Sequence, residues 1–178
     1  MAQTEQSTVE LGFNLGQLQG LIGAVKATPS AGKTVWKADT EWKKGDGFRS
    51  QARIRDFKVP MDEPPPLGGS NTAPNMVEMV LAAYGCCLTT GYVMNASLRG
   101  IELEDVKIEL DADLDLQGFF NLAEGISPGY TDVRAKVHLV APKASRGDLQ
   151  ALHDHVSRTS PVGCILSKPV KVSAELQL

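Results

Sequence analysis

Cysteine and aromatic residues are scarce in this sequence, and it has no excess of positive charge. Its 178 residues include three cysteines, and 6% of them are aromatic. Lysine and arginine number 18 against 21 aspartates and glutamates, which gives a net charge of −3. Because the protein has no net positive charge to attract phosphate groups, we expect it to bind neither nucleic acid nor an anionic membrane surface. Three thiols do not make a disulfide framework, and we expect them to be reduced.

Several catalytic motifs are also missing. The sequence has no Gly-x-Ser-x-Gly, no phosphate-binding glycine loop, no Cys-x-x-Cys and no His-x-x-x-His. These absences argue against a serine hydrolase, a nucleotide site and a zinc site, so we expect no metal and no cofactor. The first residues lack a basic segment followed by an apolar run, so we expect no secretory signal and a cytoplasmic protein.

The first 32 residues have the pattern of an appended helical segment. Apolar residues recur at helical spacing from Leu15 to Val25, and the stretch 27–32, which consists of small residues and one proline, ends that pattern. We therefore predict a helical extension over 1–32 and one domain over 33–178.

Two alternating segments then predict an antiparallel hairpin. In 34–42, every second residue from Trp36 to Trp42 lies on the same face of a predicted strand. After a glycine-rich turn, the same alternation continues in 48–54. Near Asp56 the apolar residues change from one face of the strand to the other, which predicts a β-bulge. Residues 62–69 hold three consecutive prolines and predict a loop.

The segment from Pro74 to Leu98 is apolar or small at nearly every position. Its length approaches that of a membrane span, but Asn75, Glu78 and Asn95 lie within it. We favour a helix that is buried on every side and capped at its end by Gly100. Because a chain of this size has difficulty covering such a helix alone, we expect a homodimer.

The last third predicts an α+β pattern. In 106–116, apolar residues on one face alternate with mostly acidic residues on the other. In 133–139, apolar residues alternate with cations, so we expect cross-strand ion pairs. Ser145 and Asp148 form a capping-box pattern ahead of a helix with an apolar stripe. Alternate apolar residues from Val170 to Leu178 predict a closing strand.

The cysteines are the candidates for chemistry. Cys86 and Cys87 are adjacent on the predicted helix and differ by about 100° in direction, so we expect that they do not face the same cleft. A cysteine in an apolar helix is usually a small buried side chain. The alternative is that an arginine of the predicted strand stabilises the thiolate of Cys87.

Several stretches resemble the core of the OsmC/Ohr family. Leu67–Asn71, followed by Pro74 through Cys87, is similar to that family's LGG…NPxELLLAALxxC pattern, and Arg99–Ile101 and Ser160–Val162 match further along. The resemblance extends from about Thr34 to the end of the chain. It implies an OsmC-like α+β fold with antiparallel sheets wrapped around a long central helix, in an intertwined homodimer with a site at each subunit interface.

The resemblance also implies roles for individual residues. Cys87 falls at the position of the peroxidatic cysteine. Ser160 falls at that of the resolving cysteine, and Cys164, four residues later, is a possible replacement. The family's glutamate falls on Val77, which leaves Glu78 as a candidate one residue late. Further candidates are Arg53 and Arg55, or Lys44 and Arg49, for the supporting cation, and Tyr84, Phe119 and Phe120 for an apolar lining.

The function implied is cysteine-dependent reduction of organic hydroperoxides in oxidative stress defence. Cys87 would become a sulfenic acid, reduced by Cys164 or by an external thiol. The partners would be a small organic hydroperoxide and a thiol reductant. One alternative is an OsmC-fold dimer without peroxidase activity that binds a small apolar ligand at the subunit interface. Another is a structural or regulatory dimer whose cysteines only fill the core.

Overall fold

The computed structural model describes residues 8–177, and these divide into two compact units. One unit is Phe13–Val80, and the other combines the described parts of Met1–Gly12 and Leu81–Leu178. The helices are α1 (Leu15–Ala27), α2 (Met76–Leu98), α3 (Leu116–Phe119), α4 (Arg146–Thr159) and α5 (Pro161–Ser167). The strands are β1 (Asp39–Glu41), β2 (Ser50–Ile54), β3 (Phe57–Met61), β4 (Asp105–Leu114) and β5 (Tyr130–Val140). The predicted division after residue 32 stays a prediction.

The unit over 13–80 begins with α1 and continues into a three-stranded antiparallel sheet. The side chain of Asn14 accepts the backbone N–H of Gln17 at 2.9 Å and caps α1, which ends at Ala27. The predicted helix and its end are therefore confirmed. The sheet has the order β1-β2-β3, with Thr40 opposite Ala52. The predicted hairpin is also confirmed.

Two details of that sheet differ from the prediction. The first strand covers only 39–41 instead of 34–42. Trp36, which the alternation places on a half-buried face, is 84% exposed because no other element of the described chain covers it. The bulge near Asp56 is wrong. Arg55 and Asp56 form a two-residue turn that pairs Ile54 with Phe57, and Arg55 has a φ of 56°. The apolar residues change faces because the chain reverses direction there.

A loop folded around Asp62 follows β3. The carboxylate of Asp62 is fully buried and accepts the backbone N–H groups of Glu63, Ser70 and Thr72, as well as the Thr72 hydroxyl, at 2.8 to 3.2 Å. The backbone N–H of Thr72 is the largest cause that lowers the Asp62 pKa to about 2, against an opposing effect of burial. A Cβ on Gly69 would lie 1.8 Å from the carbonyl oxygen of Glu63, so only glycine allows the loop to close this tightly.

The start of α2 is fixed by a reciprocal cap. The backbone N–H of Asn75 donates to Glu78 Oε2, and the backbone N–H of Glu78 donates to Asn75 Oδ1, both at 2.8 Å. This arrangement satisfies two donors that the first helical turn would otherwise leave unpaired. Asn75 Nδ2 also donates to Glu63 Oε2 at 3.3 Å, which joins the cap to the preceding loop.

The other unit contains the β4–β5 hairpin, whose predicted cross-strand pairs are confirmed. Asp111 lies opposite Arg134, whose guanidinium also contacts Asp113 at 2.5 Å and Asp132 at 2.9 Å. The predicted strand over 106–116 ends two residues early, because Asp115 accepts the backbone N–H of Gln117 at 2.8 Å and caps α3. The Ser145 cap of α4 is confirmed as well, with Asp148 N–H donating to its hydroxyl at 3.1 Å.

The core of this unit lies between α2 and α4. Leu88, Tyr92 and Ala96 of α2 pack with Leu152 and Val156 of α4, and all five are buried. The two helices approach closely at Gly91, where a Cβ would lie 2.8 Å from a methyl group of Val156. At its end, α2 is capped by Gly100 as predicted, with a φ of 69° and its N–H on the carbonyl of Ser97.

Within the single chain α2 is buried on one side, and its burial on every side, which we expect only with a second subunit, stays a prediction. Its buried residues are Gly85, Leu88, Tyr92, Asn95, Ala96 and Ser97. Exposed residues on its other side include Val80, Ala83, Cys86 and Thr90. By length and composition, α2 is the one described helix that could cross a membrane, with a mean hydropathy of 1.4, a test that core helices also pass.

The closing strand is not formed within the described chain. The segment 168–177 has no regular structure, and Val170, Val172 and Leu176 are 58%, 86% and 81% exposed. Alternation predicts a strand only where a neighbouring edge supplies hydrogen bonds, and the described chain offers this segment none. Leu178, the last residue of the predicted strand, lies outside the described residues.

Candidate functional site

Cys87 lies in the middle of α2, and its sulfur faces the junction between α4 and α5. Its Sγ is 3.2 Å from the hydroxyl oxygen of Ser160. Ser160 is 5% exposed and caps α5, because its Oγ accepts the backbone N–H of Gly163 at 3.1 Å. Pro161 occupies the first position of α5, where a missing N–H costs nothing. A Ser-Pro cap at the end of α4 therefore places the hydroxyl against the sulfur.

The sulfur opens onto a groove of about 410 Å³ along α2. The groove is formed by α2 and by the α4–α5 junction, and its lining is small, apolar or uncharged. The lining residues are Ala83, Cys86, Cys87, Thr90, Gly91, Met94, Asn95, Val156, Thr159, Ser160 and Pro161. Since none of these eleven residues is charged, an uncharged and partly apolar molecule is the ligand class that suits the groove.

The expectation that Cys86 and Cys87 face different clefts is wrong. Both residues line this groove, Cys86 exposed and Cys87 half-buried. Their directions still differ by about 100° around the helix. The groove is open and runs along the exposed side of α2, so it is wide enough to border both.

Cys164 lies one helical turn beyond Ser160. Its backbone N–H donates to the carbonyl of Ser160 at 2.9 Å, and its side chain is exposed. It does not line the groove around Cys87. All three cysteines are free thiols. Its assignment as the resolving cysteine stays a prediction.

The aromatic residues predicted to line the site lie elsewhere in the same unit. The ring of Tyr84 lies 3.1 Å from the Cβ position of Gly163 and lines a separate groove of about 450 Å³ together with Tyr130. Phe119 and Phe120 contact each other edge to face, with centroids 5.0 Å apart, and both are exposed. None of the three lines the groove that contains Cys87.

The charged candidates belong to the 13–80 unit. Glu78 is engaged in the cap of α2. Arg53 lies in β2 opposite Lys58, and the guanidinium of Arg55 lies 5.0 Å from the centre of the Phe57 ring. Their predicted support of Cys87, like that of Lys44 and Arg49, stays a prediction. Among residues 8–177, no group of three His, Cys, Asp or Glu side chains is placed to hold a metal ion.

Sequence reasoning missed the contact of the Ser160 hydroxyl with the sulfur of Cys87. The two residues are 73 positions apart, so no local pattern joins them. A capping serine whose oxygen accepts an N–H retains its own proton, and that is the signal that could have marked Ser160 as a donor.

Comparisons with known proteins agree on the family and the fold. A family model described as OsmC-like protein matches residues 69–175. Comparison with curated proteins finds no match. An OsmC-like protein from Mycoplasma pneumoniae shares 12% identity with a TM-score of 0.64, over 75% of this chain and 88% of that one.

Two solved organic hydroperoxide resistance proteins are also similar. The protein from Legionella pneumophila is 19% identical with a TM-score of 0.54, over 76% of this chain and 92% of that one. The protein from Elizabethkingia anophelis is 14% identical with a TM-score of 0.54, over 76% and 91%. At these identities the likeness establishes the fold, which is mixed α+β with small antiparallel sheets.

Proposed function

Because this chain belongs to the OsmC-like protein family, we propose that it reduces organic hydroperoxides with Cys87 as the reacting thiol. The observation that carries the proposal is the position of Cys87, half-buried on an uncharged groove and 3.2 Å from the hydroxyl of Ser160. Two proteins of the same fold are named for organic hydroperoxide resistance. The groove suits an organic hydroperoxide, which is neutral and largely apolar.

The reaction needs one sulfur and one peroxide bond. The thiolate of Cys87 attacks the terminal peroxide oxygen, an S–O bond forms, and the O–O bond breaks. The alkoxide leaves, takes up a proton and becomes an alcohol, while Cys87 becomes a sulfenic acid. Two thiols then return the sulfenic acid to the thiol state, its oxygen is released as water, and the two thiols leave as a disulfide. This cycle requires no metal and no cofactor.

The test is peroxide consumption by the pre-reduced protein. With cumene hydroperoxide and dithiothreitol, the wild type should turn over and Cys87→Ser should lose all turnover above the uncatalysed rate. Cys86→Ser is the matched control at the neighbouring residue. Its turnover should fall by no more than about threefold, because the Cys86 thiol does not contact Ser160. Mass spectrometry that finds Cys87 unoxidised after peroxide would contradict the proposal and favour the apolar-ligand alternative.

We also propose that the chain is a homodimer. A second copy could cover the exposed apolar side of α2. It could also cover the segments 33–38 and 168–177, which have no strand partner among the described residues. Light scattering on the purified protein should give twice the chain mass of 19.1 kDa. A mass of one chain at micromolar concentration would contradict this proposal and leave the peroxidase test unaffected.

A further inference from the structure

We infer that Ser160 is a positioning residue whose hydroxyl donates a hydrogen bond to the sulfur of Cys87, and that oxidised Cys87 is recovered by a small thiol from outside the chain. The inference rests on the proposed function and specifies the reductant of that same site. The hydrogen bond exists in the reduced protein, so it can be tested without any peroxide.

The direction of the hydrogen bond follows from the other partner of Ser160. A serine hydroxyl has one proton to donate and lone pairs to accept. Its oxygen already accepts the N–H of Gly163 at 3.1 Å, which leaves the proton free to point at Cys87 Sγ, 3.2 Å away. Ser160 is 5% exposed, so water competes little for that proton. The sulfur of Cys87 therefore has a fixed hydrogen-bond donor beside it.

The recovery step follows from the position of the other two thiols. Cys164 is exposed on α5 and does not line the groove. The oxygen of Ser160 lies next to the sulfur, at 3.2 Å. Cys86 lines the groove, but side chains of adjacent residues on an intact helix diverge by about 100° and do not bridge easily. Within the described chain, no second cysteine is therefore placed to form a disulfide with Cys87.

An external thiol completes the cycle with balanced steps. Its sulfur attacks the sulfenic sulfur of Cys87, an S–S bond forms, and the hydroxyl leaves as water after protonation. A second thiol molecule attacks the mixed disulfide, releases the Cys87 thiol and leaves as a small-molecule disulfide. The open groove of about 410 Å³ gives such a thiol access to the sulfur.

The recovery step is tested on the wild-type protein. Pre-reduced protein receives one equivalent of cumene hydroperoxide, then dimedone in one sample and 2-mercaptoethanol in another, before non-reducing peptide mapping. The expected products are a dimedone adduct and a 2-mercaptoethanol mixed disulfide, both on Cys87. A disulfide between Cys87 and Cys164, formed as fast as the sulfenic acid is lost, would overturn the external recovery.

A parallel sample oxidised with hydrogen peroxide separates this inference from the proposed function. If hydrogen peroxide oxidises Cys87 and cumene hydroperoxide does not, the proposed substrate class fails, yet the mapping still shows which thiol recovers the sulfur. If neither oxidant modifies Cys87, both the proposed function and the recovery step are overturned.

The hydrogen bond is tested by alkylation of reduced Cys87 with iodoacetamide across pH, followed by peptide mass spectrometry. Ser160→Ala should alter the rate profile and slow alkylation near neutrality by about tenfold, because the sulfur loses its hydrogen-bond donor. Ser160→Thr retains a hydroxyl and should restore the wild-type profile.

The matched control is Ser167→Ala, which removes a hydroxyl from α5 outside the groove. Ser160→Ala also removes the cap of α5, so thermal unfolding of each variant shows whether the fold is retained. A loss of the cap alone would lower stability without moving the alkylation profile. Coinciding profiles for the wild type, Ser160→Ala and Ser167→Ala would overturn the role of Ser160.

Discussion

The hydroxyl of Tyr92 lies 2.6 Å from Nδ1 of His153, and this contact joins the buried side of α2 to α4. Tyr92 is fully buried, and the two rings are nearly parallel with centroids 6.2 Å apart. Tyr92→Phe keeps the ring and removes the hydroxyl, which leaves the ring nitrogen of the half-buried His153 with one partner fewer. We expect the free energy of unfolding to fall by about 1–2 kcal/mol, measured by urea denaturation.

A double-mutant cycle with His153→Ala provides the control for that prediction. If the contact is the cause, Tyr92→Phe should cost clearly less in the His153→Ala background than in the wild type. Equal costs in both backgrounds would mean that the hydroxyl acts through some other neighbour, such as Ser157.

Alkaline solution should destabilise the protein through the same tyrosine. Burial is the largest cause that raises the pKa of Tyr92, against a hydrogen bond with Ser157 that lowers it. The folded state therefore retains the phenolic proton at a pH where the unfolded state releases it. The contribution of Tyr92 to stability is complete below about pH 10 and falls as the pH rises through the folded-state pKa. The Tm should drop above about pH 10, and less so in Tyr92→Phe.

Acid solution should act on the loop around Asp62. Four hydrogen bonds to the carboxylate hold its pKa at about 2, below the ordinary value of an aspartate. The stability that Asp62 contributes is therefore complete above about pH 4 and is lost as the pH falls toward 2. Asp62→Asn should remove this part of the acid dependence and lower the Tm near pH 7 by about 5 °C or more, measured by calorimetry.

Asp56→Asn is the matched control, since it makes the same change at an exposed turn position. Its Tm should stay within about 1 °C of the wild type, and its acid dependence should be unaltered. An Asp62→Asn variant with the acid profile of the wild type would show that other carboxylates dominate acid unfolding.

Ser160→Cys should create a disulfide with Cys87. The substitution puts a sulfur at the position of an oxygen that is now 3.2 Å from Cys87 Sγ, and small rotations bring two sulfurs to a bond of about 2.05 Å. After treatment with diamide, non-reducing peptide mapping should recover the two positions in one cross-linked peptide pair. Ser167→Cys, on α5 but outside the groove, should give no cross-link to Cys87. A variant that stays fully reduced would show that the side chains cannot rotate toward each other.

Much of the local structure is predictable because its causes lie within a few residues. The Ser145 cap of α4 needs only Asp148 three positions on, and alternation along β4 and β5 puts Asp111 and Arg134 on one face before any pairing is known. What alternation does not specify is the element that covers an apolar face. Residues 34–38 and 170–177 therefore have the pattern of strands, yet the part of the chain that the structure describes supplies them with no neighbouring edge.

The candidate site was predictable in its residues and not in its geometry. The resemblance placed Cys87 and Ser160 at site positions, but their contact depends on how α4 packs on α2, and thus on the close approach at Gly91. The angle between adjacent helical residues is fixed by the helix. How much of the helix surface a groove exposes depends on the other elements, and this is why the prediction for Cys86 failed.

The three thiols have unequal access to solvent, and this inequality gives a way to distinguish exposure from chemical activation. Cys86 and Cys164 are exposed, whereas Cys87 is half-buried. If accessibility alone governed reactivity, a bulky neutral disulfide reagent would consume the two exposed thiols first and Cys87 last. If thiolate character governs it, the order reverses and Cys87 reacts first in spite of its burial. The sequence of labelling within one reduced sample is thus a property of the folded chain, and it needs neither substrate nor substitution to be measured.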